Sequence, residues 1–442
     1  MFISGMRSQF RVFARKSCVV LGMIALFAAI PIECAVAAYV GTWQQLATSS
    51  EPTWRGWSVM TWVSNQNRIV LWGGSGGSYV NDIHALDPTA QSWSVIQPDT
   101  PCVGNTSLDA PNGTDESGVV FDPINNSLWV ASGGSGYRCG TPNLVGRTAA
   151  AGTGGANVVD PTLSGTTTDL YKDWIVRVGS SEVLVVAYNP LTKALTLASN
   201  VNLSPGGAFD LYADFGGGTW AYSFAAGTYS KLAAVHWGYS GFQMSTRRSP
   251  GFATDGSRAF LIGGADWDGN TYMLDFATKS WSIALAGSGA TPSPRRQVEN
   301  QFVYDSVNNK FILFGGYCSD PTRCTYGNAL NDTWKYDQQA NAWSQVTSTV
   351  TPPERGQAQM YFDTAKQVVV LFGGYATNQG GTPLNDLWLF DVNTQQWSQL
   401  PVPSGGPGGV GLGQVAYAPT TGCGYLFGGL TATGPALGTW KL

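Results

Sequence analysis

The 442 residues include 24 Lys and Arg against 28 Asp and Glu, only 12% are charged, and 56 are Gly, 23 Pro and 17 Trp. A charge-poor, acidic chain lacks the basic surface that a phosphate backbone demands, which excludes nucleic acid as a partner. The Gly and Trp content favours many short strands joined by turns, and no long stretch beyond residue 38 shows a helical apolar period.

The first 38 residues read as a signal peptide. Arg7, Arg11, Arg15 and Lys16 form a basic region, and the apolar run from Val19 to Ile30 is shorter than the ~20 residues of a membrane span. Ala35-Val-Ala-Ala38 offers small residues for cleavage after Ala37 or Ala38. Residues 39–442 are then expected to form one secreted or periplasmic domain, a monomer with no membrane span. Removing the leader takes four basic residues and Glu33, leaving 20 basic against 27 acidic side chains, a net charge near −7. In an oxidising compartment Cys318 and Cys324, which flank a turn-rich loop, are expected to pair, as are Cys102 and Cys139. Cys423 is left over as a buried thiol.

Repeats then run along the chain. The first begins at Arg55 and carries Ile69-Val-Leu-Trp-Gly-Gly74, Asn81-Asp-Ile-His-Ala-Leu-Asp87 and Ser92-Trp93-Ser-Val95. A weaker copy passes from Val119-Val-Phe-Asp122 through Leu128-Trp-Val-Ala-Ser-Gly-Gly134 to Asp169-Leu-Tyr171. A degenerate one follows, with strands at Val183, Ala194 and Thr219 but no Gly-Gly. The next runs from Arg247 through Phe260-Leu-Ile-Gly-Gly264 and Tyr272-Met-Leu-Asp275 to Trp281.

Two clear copies come after it. One has Lys310-Phe-Ile-Leu-Phe-Gly-Gly-Tyr317, Leu330-Asn-Asp-Thr-Trp-Lys-Tyr-Asp337 and Trp343; the other has Val368-Val-Val-Leu-Phe-Gly-Gly-Tyr375, Leu384-Asn-Asp-Leu-Trp-Leu-Phe-Asp391 and Trp397. The last copy is split. Gln414-Val-Ala-Tyr417, Tyr425-Leu-Phe-Gly-Gly429 and Gly438-Thr-Trp-Lys-Leu442 give three strands, and the missing fourth, with its Trp, stands near the N-terminus as Gly41-Thr-Trp43-Gln-Gln-Leu46. Pairing the two ends closes a ring and removes two open sheet edges.

Gly-Gly, an aromatic after a gap and a Trp some six residues later form the kelch signature. Over residues 39–442 the chain resembles the kelch-repeat and galactose oxidase-like β-propeller superfamily. The resemblance implies an all-β fold, a seven-bladed kelch-type propeller with the last blade closed by the N-terminal strand. It does not fix a function, because this fold hosts binding proteins and unrelated enzymes.

Copper-radical oxidases of the superfamily need two His and two Tyr around the metal. This chain has only His84 and His236, and His84 takes the third-strand position of Trp334 and Trp388, where it is expected to pack inside a blade. That chemistry is rejected, and no metal or cofactor is expected. Asp266-Trp-Asp268-Gly-Asn270 lacks the spacing and bidentate Glu of a calcium loop and reads as a turn. No nucleophile elbow or phosphate loop is present.

The suggestive feature is arginine. Arg55 and Arg355 each stand 18 residues before the first Gly of their pair, and Arg247 and Arg296 hold matching places. This position begins the innermost strand at the channel mouth, where kelch domains often contact acidic ligands. Four arginines there would make a local positive field able to bind carboxylates. The alternative is that each pairs with a nearby acid, such as Glu354 or Glu299. Long segments at 98–116, 135–167, 233–246 and 317–330 fall on one face, which His236, Tyr317 and Tyr375 would decorate. The leading reading is a propeller that binds a carbohydrate, an anionic small molecule or a protein through this face. The alternatives are a lyase or isomerase/epimerase acting on an acidic sugar, with His236 as the candidate base, and a structural surface protein.

Overall fold

Val368–Phe372 is an unbroken run of β-branched, aliphatic and aromatic residues, and all five are buried. A strand with no polar face needs cover on both sides, which a sheet packed between two other sheets obtains. The computed structural model of the chain describes residues 42–99, 117–131, 144–166, 168, 170–172, 174–212, 219–232, 249–264, 269–377, 381–402 and 404–442. Among them, six antiparallel four-stranded sheets carry the repeats.

Blade 1 is Val59–Val63, Arg68–Trp72, Ile83–Asp87 and Ser92–Gln97. Blade 2 is Gly118–Asp122, Ser127–Ala131, Thr219–Ser223 and Thr228–Leu232. Blade 3 is Gly251–Thr254, Arg258–Ile262, Thr271–Asp275 and Ser280–Leu285. Blade 4 is Phe302–Asp305, Lys310–Phe314, Thr333–Asp337 and Ala342–Val346. Blade 5 is Gln359–Asp363, Val368–Phe372, Leu387–Asp391 and Gln396–Leu400. Blade 6 joins Gln414–Ala418, Cys423–Phe427 and Thr439–Lys441 to Gln44–Gln45, with Gln44 opposite Lys441 and Gln45 opposite Trp440. The last blade is therefore closed by the N-terminal strand, as its split repeat predicts.

The first strand of every blade lies at one edge of its sheet, and these inner strands contact one another in order from blade 1 to blade 6 and back to blade 1. The count of seven gives way here: the described residues close a ring of six. The difference arises in the degenerate repeat. Thr219–Ser223 and Thr228–Leu232 are not part of a separate blade but the third and fourth strands of blade 2, pairing with Ser127–Ala131. The chain leaves blade 2 after Ala131, and residues 144–212 build a separate six-stranded sheet before it returns at Thr219. The sheet runs in the order Leu144–Thr148, Ala208–Tyr212, Ile175–Val178, Ser181–Asn189, Ala194–Leu197 and Asn157–Val159. Its two ends meet where Ala149 donates to Gly207 O and Ala150 to Val159 O. Trp174, Val176, Val185, Tyr188, Leu195, Phe209 and Leu211 fill its interior, continuous with the core of blades 1 and 2. The expected strand at Leu170-Tyr171 is a turn, and Asp169 lies outside the described residues.

Two repeated contacts tie each blade to the next. The fourth-strand Trp donates its Nε1–H to a Thr that opens the third strand of the preceding blade. Trp93 bonds Thr439 at 2.9 Å, Trp281 bonds Thr219 at 3.0 Å, Trp343 bonds Thr271 at 2.8 Å and Trp397 bonds Thr333 at 2.9 Å. The Trp281–Thr219 bond independently places Thr219 in the blade before blade 3. Blade 2 has Tyr229 instead, whose hydroxyl donates to Asn81 O and accepts from Trp72. The second contact explains Gly-Gly. Gly373 has φ +68°, and a Cβ there would fall 2.2 Å from Val410 O of blade 6; Gly374 N–H bonds the same carbonyl at 2.8 Å. Only glycine allows the left-handed turn and this close approach together.

Candidate functional site

The upper face carries the segments leading into the inner strands and the loops that follow each Gly-Gly. On it, three arginines occupy the same repeat position: Arg55, Arg295 and Arg355. Each is buried, at 3%, 2% and 0% exposure. Each makes two bonds to one carboxylate, Arg55 to Asp82, Arg295 to Asp332 and Arg355 to Asp386. Each also donates to the carbonyl of the first Gly of its pair, Gly73, Gly315 or Gly373. Nε of each reaches the carbonyl two residues back.

The acid is the Asp of the Asn-Asp motif, not Glu354 or Glu299. Burial alone would raise its pKa. Hydrogen bonds and charge from the arginine outweigh burial, with help from Trp334 Nε1, Trp388 Nε1 or His84, and hold Asp82, Asp332 and Asp386 below the usual 3.8. His84 Nε2 lies 2.7 Å from Asp82 Oδ2, where Trp334 and Trp388 stand 2.6 and 2.7 Å from Asp332 and Asp386. It packs in its blade, as expected.

These contacts correct four of the expected ligand residues and refine a fifth. Arg55 and Arg355 are consumed by buried pairs and cannot meet a ligand, because each guanidinium is shut off from solvent and turned onto its aspartate and two carbonyls. The repeat partner in blade 4 is Arg295, not Arg296. Tyr317 and Tyr375 are also buried, at 0% and 7%. Tyr317 OH donates to Tyr375 O and Thr377 O, its ring lies on Gly356, and the Tyr375 ring lies on Gly411. They wedge neighbouring loops together, and burial raises both phenol pKa values. Arg247, His236, Cys102, Cys139 and Asp266 to Asp268 lie outside the described residues, as does the leader.

Among the described residues, backbone amides circle the upper mouth. Trp57, Ser249, Gln297, Gln357 and Leu412 hold equivalent places with φ of 53°, 56°, 57°, 57° and 62°. Backbone bonds step around the axis, Val298 N–H to Ser249 O, Gln357 N–H to Gln297 O, Leu412 N–H to Gln357 O and Trp57 N–H to Leu412 O. A left-handed non-glycine costs of order 1–3 kcal/mol, so the surroundings must enforce it.

Arg296 remains. It is half-buried, its guanidinium carbon lies 5.2 Å above the ring of Tyr326, and its Nε is a buried donor without a hydrogen-bond partner among the described residues. Tyr326 is 51% exposed. It belongs to the loop after Gly315-Gly316, which Cys318–Cys324 cross-links at an S–S distance of 1.98 Å. Arg323 anchors the same loop to Thr291 O and Pro292 O, and Cys318 N–H bonds Asn328 O. Closing so short a loop contributes at most ~2–3 kcal/mol. Replacing both cysteines with Ser is expected to leave one cooperative unfolding transition while raising hydrogen exchange at 319–327. Loss of that transition would contradict this.

A model of the "KLHDC2/KLHL20/DRC7 Kelch-repeats domain" matches residues 219–436, which span the outer two strands of blade 2, all of blades 3, 4 and 5, and the first two strands of blade 6 with its Gly-Gly. This chain belongs to the kelch-repeat superfamily. Human Host cell factor 2 is 29% identical over 167 residues, 34% of this chain and 20% of that protein. Mouse Kelch domain-containing protein 1 is 27% identical over 136 residues, 30% of each chain. N-(sulfonatooxy)prop-2-enimidothioate sulfolyase of Thlaspi arvense is 28% identical over 171 residues, 36% of this chain and 44% of that one. This kelch chain thus spans less than half the length of each of these relatives. No helix among its described residues is long and apolar enough to cross a membrane.

Proposed function

We propose that this kelch propeller is an exported binding protein that holds a carboxylate-bearing segment of a protein partner against its upper face. The observation that carries this reading is Arg296. Among the described residues its guanidinium makes no ion pair, its Nε is buried without a hydrogen-bond partner, and it is held over an exposed tyrosine. A stacked guanidinium is pre-oriented, keeps part of its donor fork for a ligand and meets a carboxylate through two parallel bonds. The kelch repeat itself favours protein binding, and the basic and apolar leader supports export.

A Glu-rich peptide, a Gln-rich peptide of equal length and a uronic-acid oligosaccharide are suitable probes. The Glu-rich peptide should bind best, and its affinity should fall with added salt. Arg296→Ala should weaken it at least tenfold, equivalent to about 1.4 kcal/mol, with an unchanged Tm, since no buried pair is broken. Equal affinity for the Glu-rich and Gln-rich peptides would sink the reading, and preference for the oligosaccharide would replace the protein partner with a glycan.

A further inference from the structure

The ring encloses a channel of about 340 Å³, lined by residues of all six inner strands. Its walls combine two chemistries. Trp62 and Tyr304, both half-buried, supply aromatic surface, and Phe252, Phe302, Phe362 and Tyr417 back the wall from the cores between blades. The six inner strands stand at sheet edges, so each turns a row of backbone N–H and C=O groups, unpaired by any strand, toward the axis.

The two ends of the channel differ. Seven positions separate Arg295 from Phe302 where five separate Arg355 from Met360. The extra residues carry Asn300 over the upper end, where Nδ2 donates to Gly413 O at 3.1 Å and to Gln414 Oε1 at 2.9 Å in blade 6. At the lower end Ser306, Thr364 and Pro419 are exposed and line the opening.

We infer that this channel is a binding site, entered from the lower face, for a neutral sugar of one or two rings. The volume equals that of about ten waters in the liquid, and enclosed spaces of this order are typical of small-molecule sites. A purely apolar guest would strip water from the strand-edge N–H and C=O groups without replacing their hydrogen bonds, at a cost of roughly 1–3 kcal/mol each. A pyranose avoids that cost. Its hydroxyls donate and accept around the ring edge, while its C–H faces lie on Trp62 and Tyr304. Charge selects the class further. Among the described residues no Lys or Arg lines the channel, so an anionic sugar finds no cationic partner there. This site therefore differs in place and in charge preference from the upper face at Arg296.

Calorimetric titration of the full chain with glucose, galactose, N-acetylglucosamine, cellobiose, maltose and glucuronate tests the assignment. At least one neutral sugar should bind saturably at or below about 50 mM, which detects a Kd of a few millimolar, and glucuronate should bind less well than glucose. Trp62→Ala should weaken the sugar at least tenfold. Thr364→Trp, made at an exposed position so that the core is undisturbed, should block it while Tm stays unchanged. Arg296→Ala should have no effect. Failure of every neutral sugar to bind overturns the inference, and so does unchanged affinity in Thr364→Trp. Loss of sugar binding in Arg296→Ala would overturn it too, by moving the sugar to the upper face, whereas the Glu-rich peptide result stands apart from all of these.

Discussion

Arg355→Ala is expected to destabilise the protein by roughly 3–5 kcal/mol, because it leaves Asp386 ionised and short of partners in a buried setting. Arg355 is fully buried and holds Asp386 through two bonds while also satisfying Gly373 O and Pro353 O. Removing it strands all three acceptors at the place where blade 5 turns. The same change at Arg296, which has no such pair, should leave Tm unchanged, so the two variants separate a structural from a ligand-facing arginine on one surface. Thermal unfolding of the two proteins checks this. A loss below about 1 kcal/mol for Arg355→Ala would show that solvent reaches Asp386 and that the pair is a surface pair in effect.

Acid provides a second readout of the same bonds. The folded-state pKa values of Asp82, Asp332 and Asp386 lie below the ordinary 3.8. A depressed carboxyl binds fewer protons in the folded chain than in the unfolded one. Its contribution is therefore complete above 3.8 and lost as pH falls through the folded value. Stability should drop below about pH 4 in the wild type, and Arg355→Ala should show a shallower acid slope, since one of the three depressed carboxyls has lost its cause.

These arginines also show how far the sequence could be read. The repeat position of Arg55 and Arg355 was legible from spacing alone. Their role was not, because the acids considered were neighbours in the chain, whereas the true partner lies 27 or 31 residues on, in the Asn-Asp motif. The signal was nonetheless present. Blade 6 carries Val410 at the arginine position and Gly438 at the aspartate position, so the two residues disappear together. The longer loop of blade 4 puts Arg296 19 and Arg295 20 residues before Gly315, so spacing alone favours Arg296. The blade count failed for a related reason. Thr219-Trp-Ala-Tyr-Ser223 matches Thr333-Trp-Lys-Tyr-Asp337 as a third strand, but the intervening six-stranded sheet separates it from Leu128–Val130 by about ninety residues, so chain order groups it with the wrong strands. Closure by Trp43 was legible because a lone fourth strand and a three-stranded final repeat fit no other arrangement without leaving two edges bare.

Removing residues 42–48 should abolish the single cooperative unfolding transition of the ring. That strand is short, and only Gln44 and Gln45 pair in the sheet, yet it brings Trp43 and Leu46 into two separate cores. Trp43, 6% exposed, lies against Phe372 of blade 5 with ring centroids 5.1 Å apart. Leu46, 5% exposed, joins the cluster of Met60, Leu71 and Trp93 in blade 1. The strand therefore fastens blade 6 to both neighbours, and its loss exposes the edge of Thr439–Lys441 as well as both cores. Trp43→Ala isolates the first contact and should cost about 3–5 kcal/mol, as for other buried Trp truncations. Unlike the other fourth-strand tryptophans, Trp43 meets Leu387 where they meet Thr, and its Nε1 has no partner. Its contribution thus comes from packing alone, so Trp43→Phe should recover most of the loss, whereas Trp397→Phe should not, because it gives up the bond to Thr333 and leaves that hydroxyl buried without its donor. Calorimetry on the deletion and the three point variants orders these effects. A deletion variant that keeps one sharp transition at the wild-type Tm would mean that the ring closes without the N-terminal strand.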